Sequence, residues 1–195
     1  DSLFGMVLNM VEQRQVIAYT IDDYRAAPAK KENLKDYAEV EIKAEFNNAV
    51  PWLRRFFRND FMQVLKKIRL PHSCLKLFDF ALQEVKMRHF PDVVASGDSP
   101  ERSIYSPLLY LFVIGVLCPM LQNPHKYSGN EVFLSEHWKK ETGDDGGDAA
   151  YNLEKISELL EAAMNLDMNS AEDPSLRVNI AKGLLPELLK YITDQ

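Results

Sequence analysis

Between Ile104 and Leu121 the chain carries Leu108, Leu109, Leu111, Phe112, Val113, Ile114, Val116 and Leu117 almost without a polar break. So apolar a run can be housed in few places. A membrane span needs ~20 apolar residues, and Ser106, Pro107 and Pro119 interrupt a stretch that already falls short of that. The alternative is the centre of a helical bundle, where a helix is apolar all round. The run reads as such a central helix, and no integral membrane span is expected.

Elsewhere apolar residues recur at three and four, as in Leu153, Ile156, Leu159, Leu160 and Met164, while strict alternation over a strand's length is almost absent. The fold class is therefore all-α. Helices are expected at about 2–24, 32–48, 51–68, 72–89, 104–121, 130–141, 149–166 and 174–193. Proline sets several of these limits. Pro28 breaks the first helix, Pro51 can only open the third because it lacks an N–H, and Pro71 separates the next pair. Two irregular connections are expected, Pro91–Arg102 with Gly97 and Pro100, and Gly143–Asp148. The aspartates of the second lack the distal Glu of a calcium loop, so it reads as a solvated linker. No internal repeat or low-complexity tract is seen.

A chain of 195 residues is long enough for one domain with a real core. With 46% hydrophobic and 27% charged residues it reads as soluble and globular rather than disordered. A net charge of -6 argues against nucleic acid or an anionic membrane as the partner of the whole surface. Cys74 and Cys118 are too few for a disulfide framework and lack zinc-site company, so both are expected as buried thiols in a reducing, cytoplasmic setting. The histidines at 72, 89, 125 and 137 show no metal-ligand spacing. No catalytic nucleophile or phosphate-cradling glycine loop is recognisable, and no cofactor or metal is expected. No signal peptide is seen, and the start at Asp1 suggests a domain excised from a longer chain.

Against that acidic background, Arg54, Arg55, Arg58, Lys66, Lys67 and Arg69 cluster in one helical region. At 3.6 residues per turn, Arg54, Arg58, Lys66 and Arg69 share a face opposite Leu53, Phe56, Phe57, Phe61, Leu65 and Ile68. Two readings stand. The basic face is either a solvated surface over a core face or a docking surface for an acidic partner, where complementary charge speeds association.

The segment Leu111–Tyr127 carries the most specific pattern, with Cys118, Pro119, Asn123 and Pro124 closing an apolar helix. It resembles the Phe-Leu-Arg-Phe-x-Cys-Pro-Ala-x-x-x-Pro signature of Ras GTPase-activating (RasGAP) domains, with Gly115 at the arginine position. The flanks are similar to that family too. Upstream, Phe61–Pro71 leads through Leu75, Leu77, Phe78, Leu82 and Val85 to Arg88–Asp92; downstream come Asn152–Leu160 and Ile180–Ile192. The resemblance covers roughly residues 55 to 192 and is nearest to the IQGAP branch. It implies a single RasGAP-like bundle of about eight helices over 1–195, shortened on its N-terminal side, with divergent helices at 1–50 and the family-like core at 51–195.

A GTPase-activating protein places an arginine beside the transferring phosphoryl group, and its signature arginine braces the loop bearing that finger. Gly115 removes the brace. The upstream stretch is too short for the finger loop, and Phe57-Arg58-Asn59, though similar to the family's Phe-Arg-x-Asn motif, stands too close to Pro71. The resemblance thus implies a non-catalytic domain that binds a small GTPase of the Ras or Rho group, or another acidic protein surface, within a signalling or cytoskeletal scaffold. Its alternatives are an active GTPase-activating protein using Arg54, Arg55 or Arg58, and a helical adaptor without GTPase binding. The expected contacts are Arg54, Arg55, Arg58 and Lys66, with Asn123, His125, Lys126 and Tyr127 of the following turn. That turn also reads as simple helix termination by Pro119 and Asn-Pro. Gly115 has a packing reading as well, a helical glycine kept for the close approach of a neighbouring helix. Oligomeric state is left open.

Overall fold

The computed structural model describes residues 3–31, 33–89, 101–127, 147–166 and 175–194, and no strand occurs among the described residues. The fold class expected from the periodicity is the one found. In chain order the helices are α1 (Leu3–Glu12), α2 (Ile21–Ala26), α3 (Pro28–Lys31), α4 (Glu39–Arg55), α5 (Met62–Lys67), α6 (His72–His89), α7 (Glu101–Phe112), α8 (Cys118–Gln122), α9 (Pro124–Tyr127), α10 (Gly147–Met164) and α11 (Leu176–Thr193). The helix expected at 130–141 and most of both expected loops lie outside the described residues.

The first expected helix does not run to residue 24. It closes at Arg14, whose φ of 54° is left-handed, while the Gln15 N–H reaches the Met10 carbonyl at 2.8 Å and the Arg14 N–H reaches Val11 at 2.9 Å. This is the Schellman arrangement of a helix C-terminus. Residues 15–19 then leave the helix without regular structure, Val16 to Tyr19 buried, and alternate residues face opposite ways as in extended chain. Ile17 and Tyr19 enter the main core, whereas Val16 and Ala18 join a second cluster with Tyr24, Ala27, Leu34 and Ile42. Apolar on both faces, the segment shows no polar alternation.

The backbone of this extended segment finds its partner in a side chain. Asn152 of α10, fully buried, accepts from the Ile17 N–H at 2.8 Å and donates to the Gln15 carbonyl at 3.1 Å. Its amide imitates a neighbouring strand's peptide. Beyond it, Tyr19 donates to the Lys155 carbonyl at 2.7 Å, Tyr151 donates to the Asp23 carbonyl at 2.6 Å, and Lys155 pairs with Asp23 at 3.0 Å and Glu158 at 2.9 Å. Burial pushes the Asp23 carboxyl up, but the hydrogen bond and charge of Lys155, helped by the Tyr19 N–H and Thr20, outweigh it and hold it below its usual range. Burial, reinforced by Asp23, pushes the Tyr151 hydroxyl up to about 12.

Pro51 does not open a helix; it lies inside α4 at an exposed position, and the residue whose carbonyl loses its helical donor, Asn47, is exposed too. From Glu39 to Lys67 the chain is one rod, α4 joined to α5 by a π-helical turn at Phe56–Phe61. The turn has a clear function in packing. Nine residues of α-helix make about 2.5 turns and would put Leu53 and Met62 on opposite sides. Both are buried, because the wider π turn rotates the second half back toward the core.

A second rod, α7 joined to α8 through a π turn at Val113–Leu117, does the same. Its turn precedes Pro119, whose missing N–H is one of the ordinary causes of such a break. Leu53, Phe56, Phe57, Phe61, Met62 and Leu65 match Leu109, Phe112, Val113, Leu117, Cys118 and Leu121 in order, spacing and burial, with Pro51 matching Pro107. Sequence inspection finds no repeat here, because the shared feature is spacing rather than residue identity.

The second rod also corrects the central-helix reading. Tyr105–Gln122 is long and apolar enough to cross a membrane by length and composition, yet only 39% of that window is buried. Tyr110, Leu111 and Val116 are exposed. One face of the rod, not its whole circumference, meets α6, α10 and α11.

Candidate functional site

Three of the basic cluster, Arg54, Arg55 and Arg58, lie along one wall of a cleft of about 610 Å³ between the first rod and α11, and Lys66, Lys67 and Arg69 do not line it. Arg54, Arg55, Arg58, Asn59 and Met62 of the rod face Asn179, Ile180, Gly183, Leu184 and Glu187 of α11. Both sets repeat every fourth residue, the spacing of one helical stripe. Phe57, Met62, Ile180 and Leu184 are buried and form the floor; the arginines and both asparagines are exposed on the rims. Behind the floor, Trp52 stacks on Phe56 with ring centres 5.5 Å apart, and Phe56, Phe57 and Phe61 follow edge to face, so the arginines stand on a rigid aromatic base.

Arg54, Arg55 and Arg58 make no hydrogen bond or ion pair among the described residues, and the π turn sets Arg58 and Asn59 on the rim. Lys66 is committed, pairing with Glu187 at 2.9 Å. That hydrogen bond, with the charges of Lys66, Lys190 and Arg58, holds the Glu187 carboxyl below its usual range. Near the same end, Tyr191 donates to the Ile68 carbonyl at 3.1 Å and ties α11 to the end of α5.

The other expected contacts are elsewhere. None of the described residues of the turn after α8 lines the cleft. Asn123 ends α8, its N–H bonded to Pro119 at 3.0 Å and its carbonyl accepting from Lys126 at 3.1 Å, and Pro124 is buried. Helix termination therefore accounts for Asn123 and Pro124, while Lys126 is exposed. His125 and Tyr127 fall in α9, and their side chains lie outside the described set. The turn is held against α10, where Gln122 donates to the Ser157 hydroxyl at 3.0 Å.

Gly115 is exposed, and a Cβ there would meet only Leu111 Cδ1 at 3.6 Å, so among the described residues no neighbouring helix exploits its missing side chain. Cys118 is buried and its thiol is pushed up by that burial; Cys74 is only half-buried, not buried as expected. Asp148, expected in a solvated linker, belongs to α10 and accepts from the Ala29 N–H at 2.6 Å. Among the described residues no three acidic, histidine or cysteine side chains gather as a metal site would require.

The α11 wall is the part that sequence reasoning missed. Its signal is present: Asn179, Gly183 and Glu187 form a stripe at fourth-residue spacing along α11. Only the tertiary pairing shows that this stripe faces the arginines. Compared with known proteins, the chain matches no protein-family description, no curated protein and no solved structure.

Proposed function

We propose that this domain is a recognition module that binds an acidic protein surface, a small GTPase of the Ras or Rho group, in the manner of a RasGAP-like domain without catalysis. The observation that carries the reading is the cleft itself, three exposed arginines that form no ion pair among the described residues, standing over a buried apolar floor. Exposed rim charges steer an acidic partner and fix its orientation, while the apolar floor between the rims favours a partner that excludes water from it. Gly115 supports the non-catalytic half of the proposal, because no arginine stands at the position that braces a finger in the family the sequence resembles. We place such a domain in a cytoplasmic scaffold.

A second reading has one observation in its favour. Arg54, Arg55 and Arg58 are exposed and uncommitted among the described residues, as a finger arginine must be before it meets a nucleotide. Single-turnover hydrolysis by Ras- and Rho-group GTPases mixed with the domain separates the two. Complex formation with an unchanged rate supports recognition alone; a rise of about 10³–10⁵-fold, abolished by alanine at one arginine, establishes a GTPase-activating protein.

A further inference from the structure

The cleft is more specialised than a flat docking surface needs to be. On its α11 rim Asn179, Gly183 and Glu187 stand one turn apart, and the middle position has no side chain. Glycine within an exposed helix costs about 1 kcal/mol relative to alanine, and its usual compensations are a positive φ or the close approach of another backbone. Neither operates at Gly183. Its φ is not positive, and a Cβ built there would have nothing within 4 Å. The result is a notch open to solvent in the rim between Asn179 and Glu187, on the wall across the cleft from the arginines.

The chemistry of the two walls selects the occupant. A phosphate-sized anion would be satisfied by the arginines and would gain nothing from a floor of four buried apolar side chains. An apolar ligand would leave the arginines unanswered. Each rim covers about 12 Å at 1.5 Å per residue, the length of roughly two helical turns. Side chains one turn apart on a docked helix would meet Arg54 and Arg58, themselves one turn apart.

Resting on the docking reading above, we propose that the cleft receives a short acidic helix of the partner, with one apolar side chain in the Gly183 notch and carboxylates one turn apart on Arg54 and Arg58. Helices recognised in grooves follow this pattern of a few apolar anchors with charged flanks. Glu187, the one acid among the described lining residues, opposes such a ligand and is restrained by Lys66.

The test is fluorescence anisotropy of the full chain with a dye-labelled peptide carrying two glutamates one helical turn apart and a leucine on the flanking face that would turn toward Gly183. Expected are saturable binding, at least a ~10-fold loss when glutamine replaces both glutamates, and a comparable loss in Gly183→Leu, whose folding is checked by circular dichroism. Gly183→Ala, safer for the fold, loses less. Glu187→Gln binds several-fold tighter, an effect that a merely structural residue would not give. The proposal is overturned if the glutamine peptide binds equally well, if both Gly183 variants bind as the parent does, if Glu187→Gln weakens binding, or if inorganic pyrophosphate displaces the peptide. Should the peptide fail to bind while the chain still captures a GTPase and Arg54→Glu/Arg58→Glu does not, this inference falls and the docking reading stands.

Discussion

The two π-interrupted rods bury the same rhythm of side chains and present opposite chemistry to their surroundings. Where the first shows Arg54, Arg55, Arg58, Asn59 and Asp60, the second shows Tyr110, Leu111, Ile114, Gly115 and Val116 at the matching positions. The buried face therefore determines how a rod fits the bundle, and the outer face is free to specialise. In the first rod the outer face becomes one wall of a cleft with α11. In the second, Leu111 and Val116 remain 44% and 40% exposed.

If the rods are equivalent inside, truncating matched buried residues must cost similar amounts. Phe61→Ala is expected to lose about 3–5 kcal/mol and its match Leu117→Ala about 2–5 kcal/mol, read from urea midpoints. A loss below ~1 kcal/mol at Leu117 would break the equivalence. The outer faces are then expected to separate in binding rather than stability. Arg54→Glu with Arg58→Glu weakens GTPase capture at least ~10-fold, about 1.4 kcal/mol, with unfolding changed by no more than ~0.5 kcal/mol. Leu111→Glu with Val116→Glu leaves capture unchanged, and any loss there would move the docking surface to the second rod.

Glycine offers a finer probe. Gly115→Ala and Gly183→Ala each meet no closer obstacle than ordinary contact, so each is expected to stabilise by up to about 1 kcal/mol in thermal unfolding. Only Gly183→Ala should also weaken the cleft's ligand. The smallest effect concerns Lys66 and Glu187, a half-exposed pair contributing below about 1 kcal/mol. Its carboxylate keeps its charge to lower pH when folded, so the contribution is complete above the unfolded value near ~4 and disappears as pH falls through the folded one. Glu187→Gln should flatten that part of the stability curve, and added salt should shrink it in the parent.

Fold class was legible because most buried positions recur at three and four, and the core faces of α10 and α11 do so without interruption. Both rods were legible as helical, but their π turns were not: a helical template tolerates the extra residue between Phe57 and Phe61, or between Val113 and Leu117, without registering that one turn has widened. Pro51 misled because a missing N–H suits a helix start, and nothing local shows that a mid-helix position facing water accepts the loss. Residues 15–19 misled because burial on two sides erases the alternation that marks extended chain. At the site, charge patterning alone located Arg54, Arg55 and Arg58. The opposite wall, more than a hundred residues later, needed the tertiary pairing, and the turn at Asn123–Tyr127 was joined to the arginines only by family resemblance.

Asn152 has a consequence in time as well as space. Its amide completes the extended segment across 135 positions of chain, so that segment cannot close its backbone until α10 exists. At typical translation speeds of about 5–20 residues per second the leading helix waits on the order of ten seconds for its clasp. Closing so wide a loop also carries an entropic toll that local helices avoid, which slows the final step of folding. Until α10 emerges, the Ile17 N–H and the Gln15 carbonyl therefore lack the side-chain partner they have in the fold.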